Sequence, residues 1–220
     1  MSIRCIILDI DGTLVLSNNA HARAWEEVLA EHGYATPYDD IRPLIGMGGD
    51  KLLPKLNPRL TQDDIMAKAI SGRRSQLFLK KYAPNLKPTR GARDLILELH
   101  DRGIKRVVAT SANEQELDAL LAAARVSDLI DGSASKADAT ESKPSPDIVT
   151  AALEKSGCTP SDCVMLGDTP YDVQAARSAG IAIIAVRCGG ASDADLAGAD
   201  EVYDDPADFL AHLRTSRFFR

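Results

Sequence analysis

RCIILDIDGTLVL, residues 4–16, is the stretch on which the fold turns. Its apolar run Ile6-Ile7-Leu8 passes directly into Asp9 and Asp11, two carboxylates one residue apart. A short run of this kind reads as a buried strand. Alternate strand residues share a face, so extended geometry would hold the two carboxylates roughly 6–7 Å apart. Like charges at the end of a buried strand raise each other's pKa and destabilise the fold unless a cation compensates. Gly12-Thr13 then lets the chain turn away.

Beyond Thr89 the chain alternates regularly between strands and helices. Helices are expected over residues 92–101 (Leu95, Ile96 and Leu99 on one face, Gly103 as the stop), 114–124, 145–156, 171–179 and 206–213. Strands are expected over residues 105–109, near Leu129-Ile130, and over 163–166, 181–186 and 201–203. Short apolar strands separated by helices indicate an α/β fold, a Rossmann-like parallel sheet covered on both faces. Right-handed crossovers place every strand's C-terminal end on one edge, where such folds bind ligands.

Residues 17–87 break this rhythm and contain no convincing strand. A helix is expected around residues 21–31, with Trp25, Val28 and Leu29 on one face. A long one is expected over 61–82, with Asp64 as the acidic third position of a capping-box-like start. Between them IGMGGDKLLPKL is a Gly-rich turn leading into a short apolar run. The predicted organisation is a catalytic core of residues 1–16 and 88–220 with an inserted α-helical cap of residues 17–87. The hinges fall near Leu16-Ser17-Asn18 and residues 84–88.

At 220 residues, 45% hydrophobic and 26% charged, the composition is that of a globular protein with a real core. Acidic residues outnumber basic ones 32 to 26, a net charge of -6, which argues against nucleic acid as the main partner. Cys5, Cys158, Cys163 and Cys188 show no CxxC pair and no zinc-like spacing, so reduced thiols in a cytoplasmic protein are expected. Neither a signal peptide nor a membrane span is read from the sequence.

Four segments carry candidate chemistry on the predicted binding edge: DIDGT (residues 9–13), VVATSAN ending at Thr110-Ser111, SKPSPDI with Lys143, and MLGDTPYDV with Asp168 and Asp172 four apart. In this order they resemble the four motifs of the haloacid dehalogenase superfamily of phosphohydrolases, and most resemble the group of phosphoglycolate phosphatases and β-phosphoglucomutases. The resemblance implies that Asp9 attacks phosphorus and forms an aspartyl-phosphate, while Asp11 protonates the leaving oxygen and later activates water. Asp11 is then expected to have a pKa nearer neutrality than an exposed aspartate. The resemblance further implies Mg2+ held by Asp9, Asp168 and the Asp11 backbone carbonyl, with Asp172 a direct or water-mediated ligand. Lys143 would offset the crowded negative charge. Gly12, Thr110, Ser111 and Lys143 would bind the phosphoryl group, each such contact typically worth about 3–4 kcal/mol of barrier.

In the cap, Arg42, Gly46 and Lys51 are candidate substrate contacts, Trp25 and Leu29 are read as packing, and His21, close after DIDGT, as a surface residue with a position facing the core site as its alternative. The implied activity is magnesium-dependent hydrolysis of a small phosphorylated metabolite by a monomer or homodimer. A sugar phosphomutase of the β-phosphoglucomutase type is the alternative. A phosphonoacetaldehyde hydrolase is disfavoured because Lys51 is offset from Met47-Gly48 and because Asp11 stands where that enzyme has a small residue. A non-catalytic binding protein would need none of this residue set.

Overall fold

In the computed structural model, which describes residues 3–219, β1 (Cys5–Leu8) lies inside a six-stranded sheet. The other strands are β2 (Lys105–Ala109), β3 (Gly132–Ala134), β4 (Cys163–Gly167), β5 (Ala182–Val186) and β6 (Glu201–Tyr203). All pairings are parallel, in the order β3-β2-β1-β4-β5-β6. The chain thus winds outward from β1 in one direction and from β4 in the other. Crevices beyond the C-terminal ends of such strands, where the order reverses, are where ligands bind. The register pairs Cys5 with Cys163 and Leu8 with Leu166, so Asp9 and Asp168 leave neighbouring strands on one edge.

Alternation along β1 sends Ile6 and Leu8 to one apolar layer and Cys5 and Ile7 to the other, all fully buried. The first layer is closed by helices α5 (Ala92–Asp101), α6 (Glu114–Ala124) and α9 (Pro206–His212), through Leu95, Leu99, Leu120 and Phe209. The second is closed by α7 (Asp147–Ser156) and α8 (Pro170–Ser178), through Ile148, Val149, Ala152 and Ala176. Burying a Leu or Ile side chain contributes about 1.5–3 kcal/mol, which is why these stripes fix the helices to the sheet. The helical insert comprises α1 (Asn18–Glu31), α2 (Tyr38–Ile41), α3 (Gly49–Leu56) and α4 (Ile65–Leu77). It has an apolar cluster of its own around Trp25, Val28, Leu52 and Ile70.

Three local expectations are corrected. Leu129 and Ile130 form no strand; they pack against the first layer from a turn, and β3 is the Gly-Ser-Ala segment that follows. Its small residues at the sheet edge lack the apolar run that marks the other strands. The long insert helix is not continuous over residues 61–82: α4 stops at Leu77 and a π-helical turn, Phe78–Tyr82, follows. Within that turn Phe78 is fully buried and stacks on the His21 ring, centroids 3.9 Å apart. Asp64 is the N-cap itself, accepting from the Ala67 amide at 2.9 Å, rather than the third residue of a capping box. No helix among the described residues is long and apolar enough to cross a membrane.

Candidate active site

The extended geometry of β1 ends at Leu8. Gly12 (φ 81) turns the chain back, with its amide donating to the Val15 carbonyl at 2.7 Å. The two aspartates therefore face different partners. Asp9 is 6% exposed and accepts from the Lys143 ammonium and, at 3.0 Å, from the Thr13 hydroxyl. Asp11 accepts from Ser17 and pairs with His21 Nε2 at 2.8 Å. Their acidities diverge accordingly. Burial, then the charge of Asp172, pushes the Asp9 carboxyl up to about 7 against the pull of Lys143. Burial also opposes ionisation of Asp11, but the adjacent His21 imidazole and the hydrogen bonds from His21 and Ser17 outweigh it and hold the group below its ordinary value. The expectation of a near-neutral Asp11 is thus not met in this arrangement.

Lys143 is 1% exposed and bridges Asp9 to Asp172 Oδ1, the latter at 2.8 Å. Burial works against its charge, but the two carboxylates prevail and keep the ammonium protonated. The second Asp172 oxygen is used at the start of α8, accepting from the Thr169 amide (3.0 Å) and hydroxyl (2.6 Å) in a capping box. Asp168 accepts from Asn18 Nδ2 at 2.8 Å and Thr13 Oγ1 at 3.2 Å. Burial, then the charges of Asp9 and Asp172, raises it well above its ordinary value.

Oxygens of Asp9, Asp168 and Asp172 lie within 4.8 Å of one another. An all-oxygen, buried set carrying more negative charge than one lysine balances fits a hard divalent cation such as magnesium. The Asp11 carboxylate stands outside this cluster, so only its backbone could join. With both oxygens engaged, Asp172 suits a water-mediated role. Gly12 and Gly189 wall in Asp168: a β-carbon at either would collide with its carboxylate. Gly189→Ala is therefore expected to displace Asp168 and, where the cluster holds magnesium, to weaken that binding about 10–100-fold. Titration calorimetry of the folded variant against magnesium checks this, unchanged affinity being the contrary result.

Asp9, Asp11, Thr110, Ser111 and Lys143 line one cavity of about 50 Å³ between the core and the helical insert, which contributes residues 45–49 to its lining. Thr110 is 1% exposed and accepts from the Ala112 amide at 3.1 Å; the Ser111 hydroxyl is buried without a protein partner among the described residues. Trp25, Gly49, Arg74 and Ser111 also line an adjoining cavity of about 280 Å³ between insert and core. Trp25 is thus a packing residue, as expected, that also borders both spaces.

Several expectations change. His21 is not a surface residue: it is 7% exposed, and its Nδ1 lies 3.3 Å from Arg74, which pairs with the buried Glu116 at 3.0 Å. Arg42 lies outside the cavity, held by Asn19 at 2.8 Å and by the Gly189 carbonyl, because its guanidinium reaches across to the loop after β5. Lys51 points away to the exposed Glu141, 2.7 Å from it. Gly46 (φ 113) does line the cavity, packed against Thr169. Gly12 does not, its α-carbon being covered by Asn18 and Asp168. Thr13, Ser17, Asn18, Arg74 and Glu116 are the site residues that sequence reasoning missed. Thr13 ends DIDGT itself and Ser17 and Asn18 are polar residues close after it, which was the available signal for the first three.

The family model for haloacid dehalogenase-like hydrolases matches residues 3–180. The chloroplastic protein SUPPRESSOR OF QUENCHING 1 of Arabidopsis thaliana is 34% identical over 191 residues, 84% of this chain; the chain spans only 18% of that protein's length. A phosphoglycolate phosphatase of Rhodospirillum rubrum is 31% identical over 92% of this chain and 87% of its own. The crystal structure of a hydrolase from Pseudomonas syringae superposes with a TM-score of 0.89 at 29% identity, covering 96% of this chain and 98% of that one. With its six-stranded parallel sheet and a buried aspartate cluster on one edge, the chain belongs to the haloacid dehalogenase-like hydrolases and is an enzyme of the phosphatase type.

Proposed function

We propose that the protein hydrolyses a small phosphorylated metabolite through an aspartyl-phosphate on Asp9, with magnesium as cofactor. The observation that carries this reading is the placement of Asp9: a buried carboxylate fixed by Lys143 and Thr13 and facing a small cavity shared with Asp11, Thr110 and Ser111. Asp9 is the nucleophile toward phosphorus. Thr110 and Ser111 donate to phosphoryl oxygens, and Lys143 offsets the charge that accumulates on them. Magnesium, when bound by Asp9 and Asp168, would polarise the phosphoryl group. Asp11, kept ionised by His21 and Ser17, is ready to take a proton from water in the second step. A phosphoryl anion arriving beside Asp11 opposes its ionisation and raises its proton affinity toward what a leaving-group acid needs. The insert keeps bulk water from the reacting atoms, and its larger cavity takes the leaving group.

Phosphate release from a panel of phosphomonoesters tests this. Release is expected with magnesium, to fall to background in EDTA, and to return when magnesium is restored. Activity that survives EDTA rejects the metal assignment. Isomerisation of a sugar 1-phosphate without net phosphate release rejects the hydrolase.

A further inference from the structure

At the opposite ends of the two central strands, three cysteines converge. Cys5 begins β1, Cys163 begins β4, and the two are register partners. Cys158 follows Gly157, the left-handed cap of α7 (φ 67), and the three sulfurs lie within 4.8 Å of one another. Cys5 and Cys163 are 0% and 1% exposed, whereas Cys158 is half-buried. It opens on a surface groove of about 420 Å³ whose charged lining residues are Arg4, Arg102 and Lys105, with no carboxylate among them. Arg102 is also paired with Glu98 at 2.7 Å, and Lys105 donates to the Ser156 carbonyl at 2.8 Å.

We propose that Cys158 is a peroxide-sensitive thiol and Cys163 its resolving partner, together forming a reversible disulfide remote from the carboxylate cluster. Redox-responsive thiols occupy partly exposed, electropositive sites beside a second thiol, and Cys158 meets each condition. Its thiolate attacks a hydroperoxide: an S–O bond forms, the O–O bond breaks, and the peroxide is reduced to water or alcohol as the sulfur becomes a sulfenic acid. Cys163 sulfur then attacks that sulfur: an S–S bond forms, the S–O bond breaks, and hydroxide leaves with a proton as water. The Cys5 thiol, donating to Cys163, and the Ser156 hydroxyl hold the Cys163 thiol below its ordinary pKa despite burial, favouring the attacking form. Closing the sulfur gap to about 2.05 Å falls to Cys158, a loop residue, rather than to the strand. Three thiols also suit a thiophilic cation, but a closed structural zinc site takes four ligands and the described residues supply three.

Mass spectrometry of the reduced full chain treated with hydrogen peroxide tests this. A loss of two hydrogens is expected, with a linked Cys158–Cys163 peptide that dithiothreitol separates. Cys188 should stay a thiol, since the other three cysteines converge without it and its Sγ donates to the Gly12 carbonyl at 3.2 Å. Alkylation of Cys158 should outpace that of Cys188 about tenfold, and in Cys163→Ser dimedone should trap Cys158 as the sulfenic acid. Oxidation of Cys188 first, over-oxidation of Cys158 without a link, or no modification at all overturns the proposal. So does reduced protein that carries zinc releasable by thiol alkylation.

Discussion

Asp9→Asn is expected to abolish phosphate release, by roughly 10⁴–10⁶-fold, the scale on which a covalent nucleophile's loss is felt. The substitution keeps the shape of the side chain but removes the attacking oxygen anion, and no neighbouring carboxylate can replace it. Asp11 points to His21 and Ser17, and Asp172 is consumed by Lys143 and the cap of α8. Folding should survive. Lys143 keeps Asp172, and an uncharged group replaces a carboxyl already pushed up to about 7 by burial. Because that folded value lies above the roughly 3.9 of an unfolded aspartate, the native state binds more protons between the two. The metal-free wild type should lose stability as pH rises through this window. Asp9→Asn should flatten that part of the profile, read as melting temperature against pH in EDTA. Near-normal turnover by a folded Asp9→Asn protein would end the covalent mechanism.

Much of the fold was legible because its signals are local. Ile6-Ile7-Leu8, Val107-Val108 and Val164-Met165-Leu166 are apolar on both faces, which only a doubly covered parallel strand explains. The order of the four motifs then placed Asp9, Thr110, Lys143 and Asp168 on one edge, where the structure has them. What escaped depends on contacts between segments far apart in the chain. His21 reads as a surface residue until Phe78, more than fifty residues later, stacks on it and Asp11 turns to meet it. Arg42 and Lys51 are correct residue types for an anion site, yet their direction is set by Gly189 and Glu141 across the groove. The cysteines show the same limit: no spacing in the sequence joins Cys5 to Cys158 and Cys163, and only the strand register does. β3 was misplaced for the opposite reason, a true strand whose Gly-Ser-Ala sequence carries almost no strand signal.

Lys143→Met should have the largest combined effect on stability and turnover. The ammonium is the cation nearest the carboxylates of Asp9 and Asp172, and methionine fills similar volume without charge. Removing one partner from a buried ion pair typically costs about 3–5 kcal/mol, because the charge left behind has neither water nor a counterion. Here Asp9 and Asp172 are left together with Asp168, so denaturant unfolding in EDTA at neutral pH should show a loss of that order. Two manipulations should recover part of it. Magnesium binds the folded cluster and not the unfolded chain, so it stabilises by mass action. Lower pH protonates Asp9 and Asp168, whose folded values are already raised, and removes the repulsion. Turnover should not recover with stability, since neither manipulation restores a fixed positive charge beside the phosphoryl oxygens. Adding Asp172→Asn to Lys143→Met should relieve the instability further, leaving the pair of changes less costly than their sum. Strict additivity, or a Lys143→Met protein as stable as wild type in EDTA at neutral pH, would mean that Lys143 does not balance these carboxylates. The charge argument for both the lysine and the metal would then fail together.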